Sequence, residues 1–179
     1  MSKTWVSSDW HMGHKNANRL CGRPYQSVEE MNDGILENMN GLIGENDTLF
    51  FLGDFSFGKK SDFWKYMDMV KCKNIYFCRG NHDAGTFIIG SNEERKRLLS
   101  VVKRIDTSFY HKRTNQVFNV TMTHHPVENQ SDSRIYLRGH THRHNPVVSP
   151  REFDVGVDGN KMKPWLLDEL IELHLSLTK

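Results

Sequence analysis

Seven residues able to hold a metal ion stand in short polar clusters, each at the end of an apolar run: Asp9, His11, Asp54, Asn81, His124, His140 and His142. Asp9 and His11 are two residues apart, as are His140 and His142, so on an extended segment each pair points to one side as a small claw. The mixed nitrogen and oxygen set suits manganese, iron, zinc, cobalt or nickel. Calcium prefers oxygen alone, and a structural zinc site closes with Cys and His. Seven donors exceed the need of one ion. With one bridging carboxylate they suffice for two ions about 3.5 to 4 Å apart, the spacing of two-metal phosphoryl chemistry. Two divalent ions, less two carboxylates and a bridging hydroxide, leave about one positive charge, so a phosphate ester is the natural guest.

Each cluster needs an element to deliver it. "KTWVSSD" reads as a strand running into Asp9, and "DTLFFLGD", "NIYFCRGNHD", "VFNVTMTHH" and "RIYLRGHTH" repeat the pattern. Gly53, Gly80 and Gly139 precede Asp54, Asn81 and His140, where the chain must turn sharply and leave room for something bulky. Ser27 and Glu30 form a capping box ahead of Val28, Met31, Ile35, Leu36, Met39, Leu42 and Ile43, whose spacing predicts an amphipathic helix stopped by Gly44. Further helices are predicted over 61–71, over 92–102 and from about Pro164, with a hairpin around "TNQ" at 114–116 and a last strand in "EFDVGVD". The alternation predicts an α/β layered fold, and in open α/β sheets ligands bind beyond the carboxyl ends of strands.

A length of 179 residues fits a single domain, 1–179, and a formal charge of +2 offers no dominant basic surface for long nucleic acid. Nucleic acid remains a possible partner, a small phosphate ester the expected one, and oligomeric state is unknown. Cys21, Cys72 and Cys78 form no C-x-x-C pair and read as reduced thiols of a cytoplasmic protein. No apolar run reaches the roughly 18 residues of a membrane helix. Asp9 lies inside what a signal peptidase would remove, so export by that route would destroy the first claw.

In chain order "DWH", "GD" at Gly53-Asp54, "GNHD" at Gly80 to Asp83, "THHP" and "GHTH" resemble the motif set of calcineurin-like metallophosphoesterases. "GHKN", "GRP" and "NDGILENMN" are similar to a small single-domain branch of bacteria and phages. The resemblance implies a sandwich of two facing mixed β-sheets flanked by α-helices. It implies two divalent transition-metal ions, manganese first, with iron, zinc, nickel or cobalt as alternatives. Asp9, His11 and His142 would hold one ion, Asn81, His124 and His140 the other, and Asp54 would bridge. His82 would face the leaving-group oxygen and Asp83 would orient His82. Trp10 is bulkier than the residue usual inside D-x-H. "HHP" offers two histidines, of which His124 takes the family's strand-end position, leaving His125 to a supporting or substrate-facing role.

Near the first claw, His14, Lys15, Arg19 and Arg23 either contact phosphate or form one solvated helix face. His14, Arg23 and His125 are the substrate-binding candidates. His111, His174, Arg143 and His144 read as structural or surface residues, and "EERKR" as an exposed helix face unless residues 84–102 cover the site as a lid. The expected activity is hydrolysis of phosphomonoesters or phosphodiesters, nucleotides and cyclic nucleotides among them. A metal-bridging hydroxide attacks in line while His82 assists the departing oxygen. A nuclease acting on nucleic-acid ends would need a basic groove, and a non-catalytic module of the same fold would be expected to lose ligands.

Overall fold

In the computed structural model, which describes residues 2–83 and 98–179, the apolar runs assemble into two five-stranded sheets. In the first, β1 (Thr4–Ser7), β2 (Thr48–Phe51), β3 (Asn74–Cys78) and β4 (Leu98–Val102) run parallel. In the second, β5 (Arg104–His111) and β6 (Gln116–Thr123) form the expected antiparallel hairpin. There β7 (Arg134–Arg138) and β9 (Glu152–Asp154) continue parallel to β6, and β8 (Val147–Ser149) closes the edge antiparallel. The last strand, β10 (Trp165–Leu166), returns antiparallel to the outer side of β1. Both sheets are mixed, as the resemblance implies.

Period-two alternation sorts the side chains of the first sheet between two apolar layers. Leu49, Phe51, Ile75 and Phe77 face the layer under α2 (Val28–Leu42), which follows the short α1 (Ala17–Cys21), and α3 (Lys60–Met67). Val6, Phe50, Leu52 and Cys78 face the second sheet, meeting Val120, Met122, Leu137 and Phe153 together with Leu170 and Ile171 of α4 (Leu167–Leu177). Strands covered on both faces read as unbroken apolar runs, which is why "TLFF" shows no alternation in sequence. The capping box forms in part: Ser27 Oγ accepts the Glu30 N–H at 3.0 Å, while the Glu30 carboxylate reaches one residue further back, to the Gln26 N–H.

Three elements differ from the sequence reading. Leu98–Val102 is a strand paired with β3, not the end of a helix. A short apolar run ending in two valines suits either period, and the open edge beside β3 decides for the strand. The rest of that helix and of the lid expected over 84–102 lies outside the described residues. "EFDVGVD" leaves the sheet after Asp154 and enters a single 3-10 turn, Val157–Asn160, and the C-terminal helix begins at Leu167 because Trp165 and Leu166 are held by β1. Among the described residues, no helix is long and apolar enough to cross a membrane.

Candidate metal centre

The loops after β1 and β2 stay zipped together beyond the strands, through Asp9 N–H to Gly53 C=O and His11 N–H to Asp54 C=O, each 3.0 Å. Gly139 N–H likewise bonds His124 C=O at 3.1 Å, joining the loops after β7 and β6. Of eight non-glycine residues with positive φ among the described residues, five are Asp9, His11, Asp54, His140 and His142. Each left-handed residue costs roughly 1 kcal/mol or more and persists only where its surroundings over-determine it. The claws are therefore not extended segments, as the sequence spacing suggested, but successive left-handed turns. Trp10, between the first two, is driven into the core against Phe51 and Phe55 with its Nε1–H on Ser7 Oγ.

These turns, with the strand ends that carry Asn81 and His124, bring the seven candidate donors into one cluster. Donor atoms of Asp9, His11 and His142 lie within 4.8 Å of one another, as do those of Asp9, Asp54 and His124, and of His124, His125 and His140. Asp54 sits between the two halves, its Oδ2 3.7 Å from His11 Nε2 and 3.3 Å from His124 Nε2. Asn81 Oδ1 is 3.1 Å from that same His124 nitrogen. His124 Nδ1 is turned to the Leu52 carbonyl at 2.8 Å, which leaves Nε2 as the donor nitrogen.

A cation fits this set on grounds of its own. Both ring nitrogens of His11 are buried with no hydrogen-bond partner among the described residues, an arrangement that costs about 1–3 kcal/mol per group unless something pairs it. Burial pushes the Asp9 carboxyl up to about 6 against the pull of His124 and His142, and burial lowers His11 to about 3. Asp54 moves the other way, to about 2: burial would raise it, but the hydrogen bond and charge of His124 outweigh that. A dication would settle Asp9 as the anion and accept a lone pair from neutral His11.

The room left by Gly80 and Gly139 is taken largely by the carboxylates themselves, and that beside Gly53 by the Gly80 backbone and the His124 ring. A Cβ on Gly80 would lie 2.1 Å from Asp54 Oδ1, and one on Gly139 would lie 2.3 Å from Asp9 Oδ2.

Two roles differ from those expected. Asp83 does not orient the His82 ring; its buried carboxylate accepts the main-chain N–H groups of Asp54 (2.7 Å), Gly80 (2.8 Å) and Phe55 (3.2 Å). Those turns leave the N–H groups without strand partners, and a buried acid is what satisfies them. The His82 ring is 39% exposed at the rim, with Nε2 3.9 Å from Asp54 Oδ2. Arg23 is buried, not open to substrate: its guanidinium grips Asp158 at 2.8 and 3.1 Å and donates to the carbonyls of Asp9 and Trp10. His14 packs on Phe57 with its ring 5.7 Å from that of His11, and His125 is exposed with its ring 4.5 Å from that of His140. Outside the cluster, His111 bonds Thr114 and His174 bonds the Pro150 carbonyl.

The family described as calcineurin-like phosphoesterase matches residues 2–144, a span that contains all seven donors with His82 and Asp83. The chain belongs to the calcineurin-like phosphoesterase family. Membership supports a metal-dependent phosphoric ester hydrolase in general, and the clustered His and Asp groups agree with divalent-metal dependence. An uncharacterized protein of Methanocaldococcus jannaschii is 38% identical over 85 residues, 46% of this chain and 48% of that protein, so the match spans about half the relative's length. The gene 66 protein of Mycobacterium phage L5 is 24% identical over 88% of this chain and 87% of its own. A solved protein of unknown function from Aquifex aeolicus, AQ665, shares the fold with TM-score 0.65 at 17% identity, covering 97% of this chain and all of that one.

One part of this calcineurin-like centre escaped the sequence reading and lies beyond the matched span. Asp158 Oδ2 accepts the Nδ1–H of His142 at 2.7 Å while the same carboxylate holds Arg23. Burial would raise the Asp158 acid, but the His142 and Arg23 bonds outweigh it and hold it at about 2. Arg23 and Asp158, both buried, thus form a hydrogen-bonded chain with the half-buried His142 beneath both claws. The only sequence signal was an acid in the apolar "DVGVD", which reads as strand.

Proposed function

We propose that this protein is a dinuclear metal-dependent phosphoesterase acting on small phosphomonoesters or phosphodiesters, nucleotides and cyclic nucleotides among them. The observation that carries this reading is Asp54 Oδ2 poised between His11 and His124, with donor groups on either side and the His11 nitrogens without a hydrogen-bond partner among the described residues. Asp9, His11 and His142 would hold one ion, Asn81, His124 and His140 the other, and Asp54 would bridge. Manganese is the first choice on the family resemblance, and the imidazole and carboxylate set equally admits iron, zinc, nickel or cobalt. Bound there, the ions would supply an activated water and neutralise the phosphoryl oxygens. The chain does the rest. His82, at the open rim, hydrogen-bonds the departing oxygen, and the Asn81 amide, also exposed, meets a phosphoryl oxygen. A net charge of +2 favours a small substrate over long nucleic acid, and the thiols Cys21, Cys72 and Cys78, none of them in a disulfide among the described residues, suit the reducing cytoplasm.

A panel of mono-, di- and cyclic phosphate esters with Mn²⁺ tests the reading. Turnover of at least one class, lost in Asp54→Ala, is expected. Two bound ions with no turnover of any ester would instead make the protein a non-catalytic module, and cleavage of nucleic-acid ends alone would make it a nuclease.

A further inference from the structure

The parallel strands that carry metal donors have a neighbour that carries none. β4 lies beside β3 with Cys78 opposite Val102, and the pairing runs one step further, from Arg79 N–H to Val102 C=O at 2.8 Å. Arg79 and Lys103 are therefore the first residues beyond two adjacent parallel strands, leaving the sheet at the carboxyl edge that bears the metal centre. Between them opens a pocket of about 270 Å³ lined by Arg79, Gly80, Lys103 and His125.

That pocket shares its walls with the catalytic cluster. Gly80 packs directly on the Asp54 carboxylate, and the His125 ring is 4.5 Å from that of His140 and 4.8 Å from that of His124. Among the described residues its charge is uncompensated. Arg23, Arg104, Arg113, Arg134 and Arg138 each pair with an acid, whereas Arg79 and Lys103 are exposed, meet no carboxylate among the described residues, and share a pocket whose described lining includes no acid. A guanidinium fork beside an ammonium is a phosphoryl-binding pair. A volume near the lower end for ligand sites suits one group of a substrate, not a whole ligand.

We propose that Arg79 and Lys103 form a subsite for a second phosphoryl group of the substrate, so that the preferred substrates carry two phosphoryl groups, one at the metal ions and one in this pocket. The inference rests on the phosphoesterase reading above and narrows its substrate class.

Calorimetry on the Mn²⁺-loaded protein tests it without turnover, using methylphosphonate, ethane-, propane- and butanediphosphonate, and 3-phosphonopropionate. Methylphosphonate reaches only the ions and is the reference within each variant. At least one diphosphonate should bind about 10-fold more tightly than methylphosphonate, and the ratio should fall below about 3-fold in Arg79→Gln/Lys103→Gln but persist in Lys103→Arg. No advantage at any spacing, or an advantage kept in the double glutamine variant, overturns the subsite alone. An advantage for 3-phosphonopropionate without one for the diphosphonates overturns the phosphoryl assignment in favour of a carboxylate. If methylphosphonate itself fails to bind and no ester is hydrolysed, the phosphoesterase reading falls and takes the subsite with it.

Discussion

Asp158 and His142 are joined by a 2.7 Å hydrogen bond from imidazole Nδ1–H to carboxylate Oδ2, which selects the tautomer and leaves Nε2 as the donor nitrogen. Because Arg23 clamps the same carboxylate and also holds the Asp9 and Trp10 carbonyls, one hydrogen-bonded chain positions both claws.

Asp158→Asn should lower metal affinity about 10- to 100-fold, the usual cost of losing an outer carboxylate behind a histidine ligand. It should also destabilise the fold by roughly 3–5 kcal/mol, because Arg23 is left buried without its anion. Metal titration and denaturant unfolding measure the two effects separately. Wild-type affinity in this variant would remove Asp158 from the account.

In the metal-free protein, burial would lower the His142 pKa, but the Asp158 bond pushes it up to about 10 from an ordinary 6.5. A histidine raised on folding contributes stability that is fully present below pH 6.5 and lost as pH rises through 10. The unfolding free energy of the metal-free protein should therefore fall between pH 7 and 10, by on the order of 3 kcal/mol. With metal bound, His142, as the proposed ligand, would be neutral and that slope should vanish, so metal uptake at pH 8 should release a proton. Equal pH profiles with and without metal would contradict this.

Asp83→Ala should strand three main-chain N–H groups, costing about 1–3 kcal/mol for each one left unpaired, and should weaken metal binding by releasing the Asp54 turn. Had Asp83 served only to orient His82, metal affinity would be untouched. Titration of the variant with Mn²⁺ separates the two.

His82→Ala should cost about 10² to 10⁴ in rate on an ester with a poor leaving group, roughly 3–5 kcal/mol, and much less on a nitrophenyl ester. Equal losses on both would remove its role at the departing oxygen.

The clustering of the candidate donors was legible because a carboxylate, amide or imidazole at a strand end is recognised by type, and their order along the chain matched a family. The left-handed turns at Asp9 and His11 were not, since spacing of two residues reads as extended strand whether or not the backbone is extended. Asp83 and Arg23 were misassigned for a related reason. What they satisfy is main-chain N–H and C=O groups of tight turns, which have no letter in the sequence. β4 was hidden because "LLSVV" fits either period, and only the vacant edge of β3 distinguishes them.

The central claim is a pair of cations held on either side of Asp54. Anomalous diffraction from crystals grown with Mn²⁺ tests it most directly. The account predicts two peaks about 3.5–4 Å apart, one beside Asp9, His11 and His142 and the other beside Asn81, His124 and His140, with the Asp54 carboxylate touching both. A single peak, or density away from Asp54, would contradict it.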